Sequence, residues 1–184
     1  ATPILCNGGS SSITASANGG TAPFQFSIGG PFQAGNLFNN LIAGNYTITA
    51  QDANNCSAST VISITQPNPL MVSIAAPPIP CFGGVTTISA NASGGTPPYQ
   101  FSNGGAFQAG NTFANITFGS YTITVQDANN CSASSVITIS QPPVLSIDSI
   151  ANSIPTCVPG NDATITVFAS GGSPTLQYSI GGPF

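Results

Sequence analysis

The stretch YTITVQDANNCSASSVITI, residues 121–139, has the pattern of a strand, a turn and a second strand. Its first five residues alternate, so that Tyr121, Ile123 and Val125 share one face, as in a strand that is buried on one side. Asp127 and the two asparagines that follow are turn residues, because they tolerate left-handed backbone angles and cap turns with their own side chains. The stretch therefore predicts a β-hairpin.

The hairpin belongs to an internal repeat. The phrase QDANNCSAS occurs at residues 51–59 and returns unchanged at 126–134, a period of 75 residues. The phrase GGTAPFQFSIGGPFQAGN at 19–36 returns as GGTPPYQFSNGGAFQAGN at 94–111, and in weaker form as GGSPTLQYSIGGPF at 171–184. A fixed period of this kind indicates an array of similar units rather than one large domain.

The alignment of the copies predicts three domains. Repeat 1 spans 1–68 without its first strand, repeat 2 spans 69–143 and is complete, and repeat 3 spans 144–184 and contains only a first half. We therefore expect the chain to be a piece of a longer protein. Each complete unit contains roughly seven short alternating segments with Gly, Pro and Asn between them, which is typical of an Ig-like β-sandwich. The predicted fold is all-β, with tandem Ig-like β-sandwich repeats of about 75 residues.

The charge inventory excludes several classes of function. The chain contains no Lys, Arg, His or Glu, and its only charged side chains are Asp52, Asp127, Asp148 and Asp162. Contacts to nucleic acid need cations on the protein, so no nucleic-acid partner is expected. General acid–base catalysis lacks its usual side chains and the carboxylates are scattered, so we predict no enzyme and no cofactor. No apolar run reaches the roughly 18 residues of a membrane-spanning helix, so no membrane insertion is expected in this segment.

The cysteines predict disulfides. Each complete copy has one cysteine before its first alternating segment and one after the Asp-containing turn, which predicts the pairs Cys6–Cys56 and Cys81–Cys131. Each bond would close a loop of about 50 residues and contribute roughly 4 kcal/mol to a small sandwich. Cys157 would bond to a cysteine beyond the sequence. A zinc site is disfavoured because the chain has no His and no CxxC, and a reactive thiol because no cation lowers its pKa. Disulfides imply an extracellular setting.

Asp52 and Asp127 allow two interpretations. Each lies in a turn and is interpreted first as a turn residue. The alternative is a calcium ligand, but one carboxylate flanked by amides is a poor cage for a cation that takes about six to eight oxygens.

These residues resemble a known family. The leading cysteine, GGTPPYQFS, GSYTITVQDANNC and the closing QP within residues 81–142 are similar to the SprB repeat of giant surface adhesins in the Bacteroidetes. The resemblance implies an Ig-like or PKD-like sandwich at the cell surface, secreted by the type IX system and active in gliding motility or attachment. It also makes Ser149, in the phrase DSI at 148–150, a candidate for O-glycosylation.

The predicted function is therefore a structural repeat in a very large secreted or cell-surface adhesin, which serves as a stalk or filament. One alternative is a self-associating multi-chain extracellular fibre, because the predicted sheet edges carry no Lys and almost no charge. Another is a ligand-binding Ig-like module, which the equal lengths of the first two copies disfavour. Expected partners are neighbouring repeats or further copies of the chain, and surface polysaccharide, prey or substratum.

Overall fold

The computed structural model describes residues 1–181, and within that part the chain forms thirteen β-strands and no helix. None of the described residues therefore forms a helix that is long and apolar enough to cross a membrane. The last three residues of predicted repeat 3 lie outside the described residues. The predicted all-β class is confirmed. In chain order the strands are β1 (Ser11–Thr14), β2 (Gln25–Ser27), β3 (Leu37–Leu41), β4 (Gly44–Gln51), β5 (Ser57–Ile64), β6 (Met71–Ala75), β7 (Thr86–Ser93), β8 (Gln100–Ser102), β9 (Thr112–Ile116), β10 (Gly119–Gln126), β11 (Ser132–Ile139), β12 (Ser146–Asn152) and β13 (Ile165–Ser170).

The sheets repeat as the sequence does. The first copy contains a sheet of order β2-β4-β5 and a sheet of order β1-β3. The second copy contains the corresponding sheets, β8-β10-β11 and β6-β7-β9, and a further pair joins β12 to β13. The hairpin of β4 and β5 is antiparallel and pairs Tyr46 with Ile62 and Gln51 with Ser57. Each of the first two copies thus contains two sheets, as the predicted Ig-like sandwich requires.

By contacts, the chain divides into two compact units. One comprises residues 1–72, 92–100 and 124–134, and the other comprises 73–91, 101–123 and the chain from 135 onward. Both units draw on the middle copy of the repeat. The domain boundaries at residues 68 and 143 stay a prediction.

Each unit has its own apolar core, which the two-residue alternation of the strands supplies. The core of the first unit includes Ile13, Phe26, Phe38 and Ile64, all of which are buried. In the second unit Ile88, Ala90 and Ile123 have no exposed surface. These three residues occupy the inward positions that the sequence assigns to TISANA and YTITV, because successive side chains of a strand point to opposite faces.

A pair of glycines, Gly94 and Gly95, packs against the backbone at the start of the second copy. Gly94 has a φ of +72°, and a Cβ atom on it would lie 1.9 Å from the carbonyl oxygen of Pro69. The N–H of Gly95 donates to the carbonyl oxygen of Asn68 at 2.9 Å. Only glycine allows the backbones to approach this closely at such an angle. The corresponding residue of the first copy, Gly19, has a φ of +82° but no atom within 4 Å of the same position.

The two glycines predict a measurable difference in stability. Both Gly94→Ala and Gly19→Ala place a side chain at a positive φ, which costs roughly 1–2 kcal/mol. Only Gly94→Ala also drives a methyl group into the carbonyl of Pro69, so we expect it to reduce the free energy of unfolding by clearly more than Gly19→Ala. Chemical denaturation of both variants measures this. Equal losses in the two variants would contradict the close approach at Pro69.

Candidate functional site: the disulfide between Cys6 and Cys131

One disulfide joins two copies of the repeat within the first compact unit. Cys6, ahead of β1, bonds to Cys131, in the turn after β10, with 5.7 Å between the Cα atoms and 125 residues between the two positions. The predicted pairs Cys6–Cys56 and Cys81–Cys131 are therefore wrong. Cys56, Cys81 and Cys157 are unpaired and exposed in the described part of the chain. A bond from Cys157 to a cysteine outside the sequence stays a prediction.

The length of β5 explains why Cys6 does not bond to Cys56. The loop that carries Cys6 lies at the far end of β5, where Asn7 Nδ2 donates to the carbonyl of Pro67 at 3.0 Å and the N–H of Gly8 donates to Gln66 Oε1 at 2.8 Å. Cys56 immediately precedes the first residue of the same eight-residue strand. At about 3.3 Å per residue the strand separates its ends by roughly 26 Å. A disulfide requires Cα atoms within about 7 Å.

The Asp127 carboxylate shapes the turn that presents Cys131. Its Oδ1 accepts the N–H groups of Asn129 and Cys131, both at 2.9 Å, and its Oδ2 accepts the N–H of Thr96 at 2.9 Å. Asn130 has a φ of 64°, as expected for asparagine in such a turn. These bonds fix Cys131 relative to the end of β10.

The segment before Cys6 contacts the same turn. Asn129 Nδ2 donates to the carbonyl oxygen of Leu5 at 3.3 Å and also to Thr96 Oγ1 at 3.0 Å. The disulfide and this hydrogen bond therefore hold adjacent residues, Leu5 and Cys6, against one hairpin end. This is the site at which one copy of the repeat is joined to the next.

The first copy has the same turn, but the cysteine of this turn, Cys56, forms no disulfide. Asp52 accepts the N–H groups of Thr21 at 3.0 Å and of Asn54 and Cys56 at 2.9 Å each. Asp127 is only 5% exposed, whereas Asp52 is half-buried. In the described residues no three His, Cys, Asp or Glu side chains are grouped so that they could hold a metal ion. Calcium binding at the two aspartates stays the disfavoured alternative to their interpretation as turn residues.

The hydrogen bonds also determine the acidity of Asp127. Burial raises the pKa of the carboxyl group, but the N–H groups of Thr96, Cys131 and Asn129 together outweigh burial and leave the pKa below its ordinary value. A carboxyl whose pKa is lower in the folded than in the unfolded protein stabilises the fold above the unfolded-state pKa. That contribution disappears as the pH falls through the folded-state pKa.

The variant Asp127→Asn tests this contribution. The amide removes the charge and one of the two acceptor oxygens, so we expect a lower unfolding midpoint at pH 7 and a smaller loss than the parent shows between about pH 5 and pH 2. Denaturant titrations at each pH measure both effects. Asp52→Asn is the matched comparison: it retains the contribution of Asp127 and loses that of Asp52, whose pKa the N–H groups of Thr21, Cys56 and Asn54 also lower. An unchanged pH profile in Asp127→Asn would contradict this role.

The residues that position Cys6 were not among those predicted from the sequence. These are Asn7, Gly8 and Gln66, and the recurring signal that could have found them is the closing QP phrase, at 66–67 and again at 141–142, one strand after each turn. The candidate Ser149 lies exposed in β12, and its glycosylation stays a prediction.

Comparison with protein families finds a match to one repeat family in two parts of the chain. A family model described as SprB repeat matches residues 1–31 and 155–183, which confirms the predicted resemblance. The match supports a repeat module of a surface protein. A search of curated proteins finds no significant match.

The solved structures that are similar to this chain share little of its sequence. A C-terminal fragment of intimin, solved with the intimin-binding domain of its translocated receptor, is 14% identical with a TM-score of 0.40; the match covers 68% of this chain and 53% of the fragment. The amphioxus IgVJ-C2 molecule is 14% identical with a TM-score of 0.34, over 74% of this chain and 98% of that one. Fibronectin(III)-like modules of Clostridium thermocellum CbhA are 16% identical with a TM-score of 0.31, over 77% and 90%. At these TM-scores the likenesses carry no functional conclusion.

Proposed function

Because the chain carries SprB-type repeats, we propose that it is a structural segment of a very large secreted or cell-surface adhesin. Its role is that of a stalk or filament in attachment or gliding, outside a cell of the Bacteroidetes that exports it by type IX secretion. The segment performs no catalysis and takes no cofactor. Its partners are the neighbouring repeats and, through the adhesin as a whole, surface polysaccharide, prey or substratum.

The disulfide between Cys6 and Cys131 is the observation that carries this proposal. A stalk transmits tension along its chain, and a covalent bond between successive repeats provides a short path for that tension. The bond bypasses the 125-residue separation between the two cysteines. The strands within the bypassed segment then bear no load along their sequence.

The chemistry of the side chains supports a passive segment. The carboxylates are engaged in local hydrogen bonds: Asp127 with backbone N–H groups, Asp148 with the hydroxyls of Ser146 and Ser170, and Asp162 with Thr156. The chain also lacks Lys and Arg, after which trypsin-like proteases cut. Resistance to such proteases is useful to an extracellular stalk.

Force spectroscopy tests the load-bearing role. When the chain is pulled from its two ends, the oxidised protein should extend less than the reduced protein by roughly 440 Å, the extended length of the bypassed segment. Cys131→Ser should extend fully without reductant, and Cys56→Ser, which removes an unpaired cysteine, should behave as the parent does. Full extension of the oxidised parent would contradict a stalk reinforced at this bond.

A multi-chain fibre is the second candidate, and the edge strands favour it. β5 and β11 each end a three-stranded sheet, and their sequences, SASTVISI and SASSVITI, contain no charge. Val61 and Val136 on these strands are 66% and 64% exposed. Natural proteins usually protect such edges with charged residues, since an open edge offers its backbone groups to another chain.

Sedimentation distinguishes the two candidates. Without cations the association cannot use salt bridges between side chains, so fibre-forming oligomers should persist from low salt to about 1 M salt. Val61→Lys and Val136→Lys, which charge the two edges, should dissociate them, and Thr47→Lys on the central strand β4 is the matched control. A monomer at every salt concentration would reject the fibre and leave the single stalk.

A further inference from the structure

The loop that carries Cys81 has the same construction as the loop that carries Cys6. The N–H of Gly84 donates to the carbonyl of Cys81 at 3.0 Å, as the N–H of Gly9 does to that of Cys6 at 3.0 Å. The N–H of Gly83 donates to Gln141 Oε1 at 2.9 Å, the counterpart of the bond from Gly8 to Gln66 in the first copy. The second leading cysteine is therefore held at the end of β11 as the first is held at the end of β5.

The third copy also approaches Cys81 as the second copy approaches Cys6. Ser173 Oγ donates to the carbonyl oxygen of Pro80, the residue before Cys81, at 2.9 Å. Ser173 follows the glycine pair of the third copy as Thr96 follows that of the second. Asn129 Nδ2 links Thr96 to the carbonyl oxygen of Leu5, which is the residue before Cys6.

At the start of the third copy the backbone segments approach each other as closely as at the start of the second copy. The N–H of Gly172 donates to the carbonyl of Pro143 at 3.0 Å, as that of Gly95 does to Asn68 at 2.9 Å. A Cβ atom on Gly171 would lie 1.8 Å from the carbonyl oxygen of Val144, as one on Gly94 would lie 1.9 Å from that of Pro69. The backbone approach at the start of the second copy, whose later turn carries the bonded Cys131, is thus present again at the start of the third copy.

At the first junction Cys6 is bonded, whereas at the second Cys81 is exposed and unpaired. We propose that Cys81 is the leading half of a second inter-repeat disulfide and takes the thiol of the cysteine that follows the Asp-containing turn of the adjoining repeat. Cys56 is the corresponding trailing half, exposed beside the Asp52 turn, and takes the leading cysteine of a repeat on its other side.

The bond requires an oxidant. The thiol of Cys81 and its partner thiol lose two protons and two electrons in total as the S–S bond forms. A protein or small-molecule disulfide accepts them by thiol–disulfide exchange and is reduced to two thiols. The partner thiol has two sources with the same chemistry: a later turn of the same polypeptide, or Cys56 of a second copy.

A disulfide map of the natural protein, isolated without reductant and with free thiols alkylated at once, tests the proposal. Pepsin at acidic pH is the suitable protease, because the chain offers no site to trypsin and acid suppresses disulfide exchange. Mass spectrometry should find the Cys81 peptide bonded to a cysteine that follows an Asp-Ala-Asn-Asn type of turn. On a non-reducing gel, the mass of one polypeptide identifies the same-chain source, and the mass of a cross-linked multimer identifies the second copy.

The Cys6–Cys131 peptide in the same digest is the internal control for folding and oxidation. If that peptide is present and Cys81 is recovered alkylated, or bonded to Cys131, Cys157 or a small thiol, the proposal is overturned. If the Cys6–Cys131 peptide itself is replaced by Cys6–Cys56, the inter-repeat pairing is overturned as a whole. Neither result depends on the mechanical measurement, so the load-bearing role and the second disulfide stand or fall separately.

Discussion

The eight-residue strand β5 is the constraint on which the inter-repeat disulfide depends. It places the turn with Cys56 at one end and the loop with Cys6 at the other, because a strand extends by about 3.3 Å per residue and cannot fold back on itself. A bond between these two cysteines would therefore require the sandwich to open. The leading cysteine is left at the end of the sandwich that meets the next copy, where Cys131 is within reach.

The turn that carries Cys131 is held rigid by hydrogen bonds to the Asp127 carboxylate. The three N–H bonds to the Asp127 carboxylate are charge-assisted and stronger than ordinary backbone hydrogen bonds. The glycine pair at 94–95 packs against the same carboxylate, since a Cβ atom on Gly95 would lie 2.7 Å from Asp127 Oδ2. Because the turn already holds Cys131 in place, forming the disulfide costs less conformational entropy.

A chain without Lys, Arg, His or Glu must hold its copies together by other means than side-chain salt bridges. Backbone ladders, buried Ile and Phe side chains, amide and hydroxyl bonds and the disulfide are the interactions that remain. All of these are insensitive to salt compared with exposed ion pairs. The same composition leaves the edge strands β5 and β11 without charge, which is the feature on which the proposed fibre rests.

The sequence by itself determined the strands, the turns and the period. Alternation placed Ile123 and Val125 in the core, and the turn residues placed Asp127 at the end of a hairpin, because these are local properties of the chain. The cysteine pairing was not local. A spacing of 50 residues occurs twice, at Cys6–Cys56 and Cys81–Cys131, and one of 125 residues occurs once, at Cys6–Cys131. Because a repeated unit offers both kinds of pair, spacing alone does not distinguish a bond within one copy from a bond between neighbours. Only the tertiary structure decided it, by setting the end of β5 at which Cys6 lies. The identical phrases at 51–59 and 126–134 show the same limit: Asp127 is buried and Asp52 is half-buried, because burial depends on the segments that pack against each turn rather than on the residues within it.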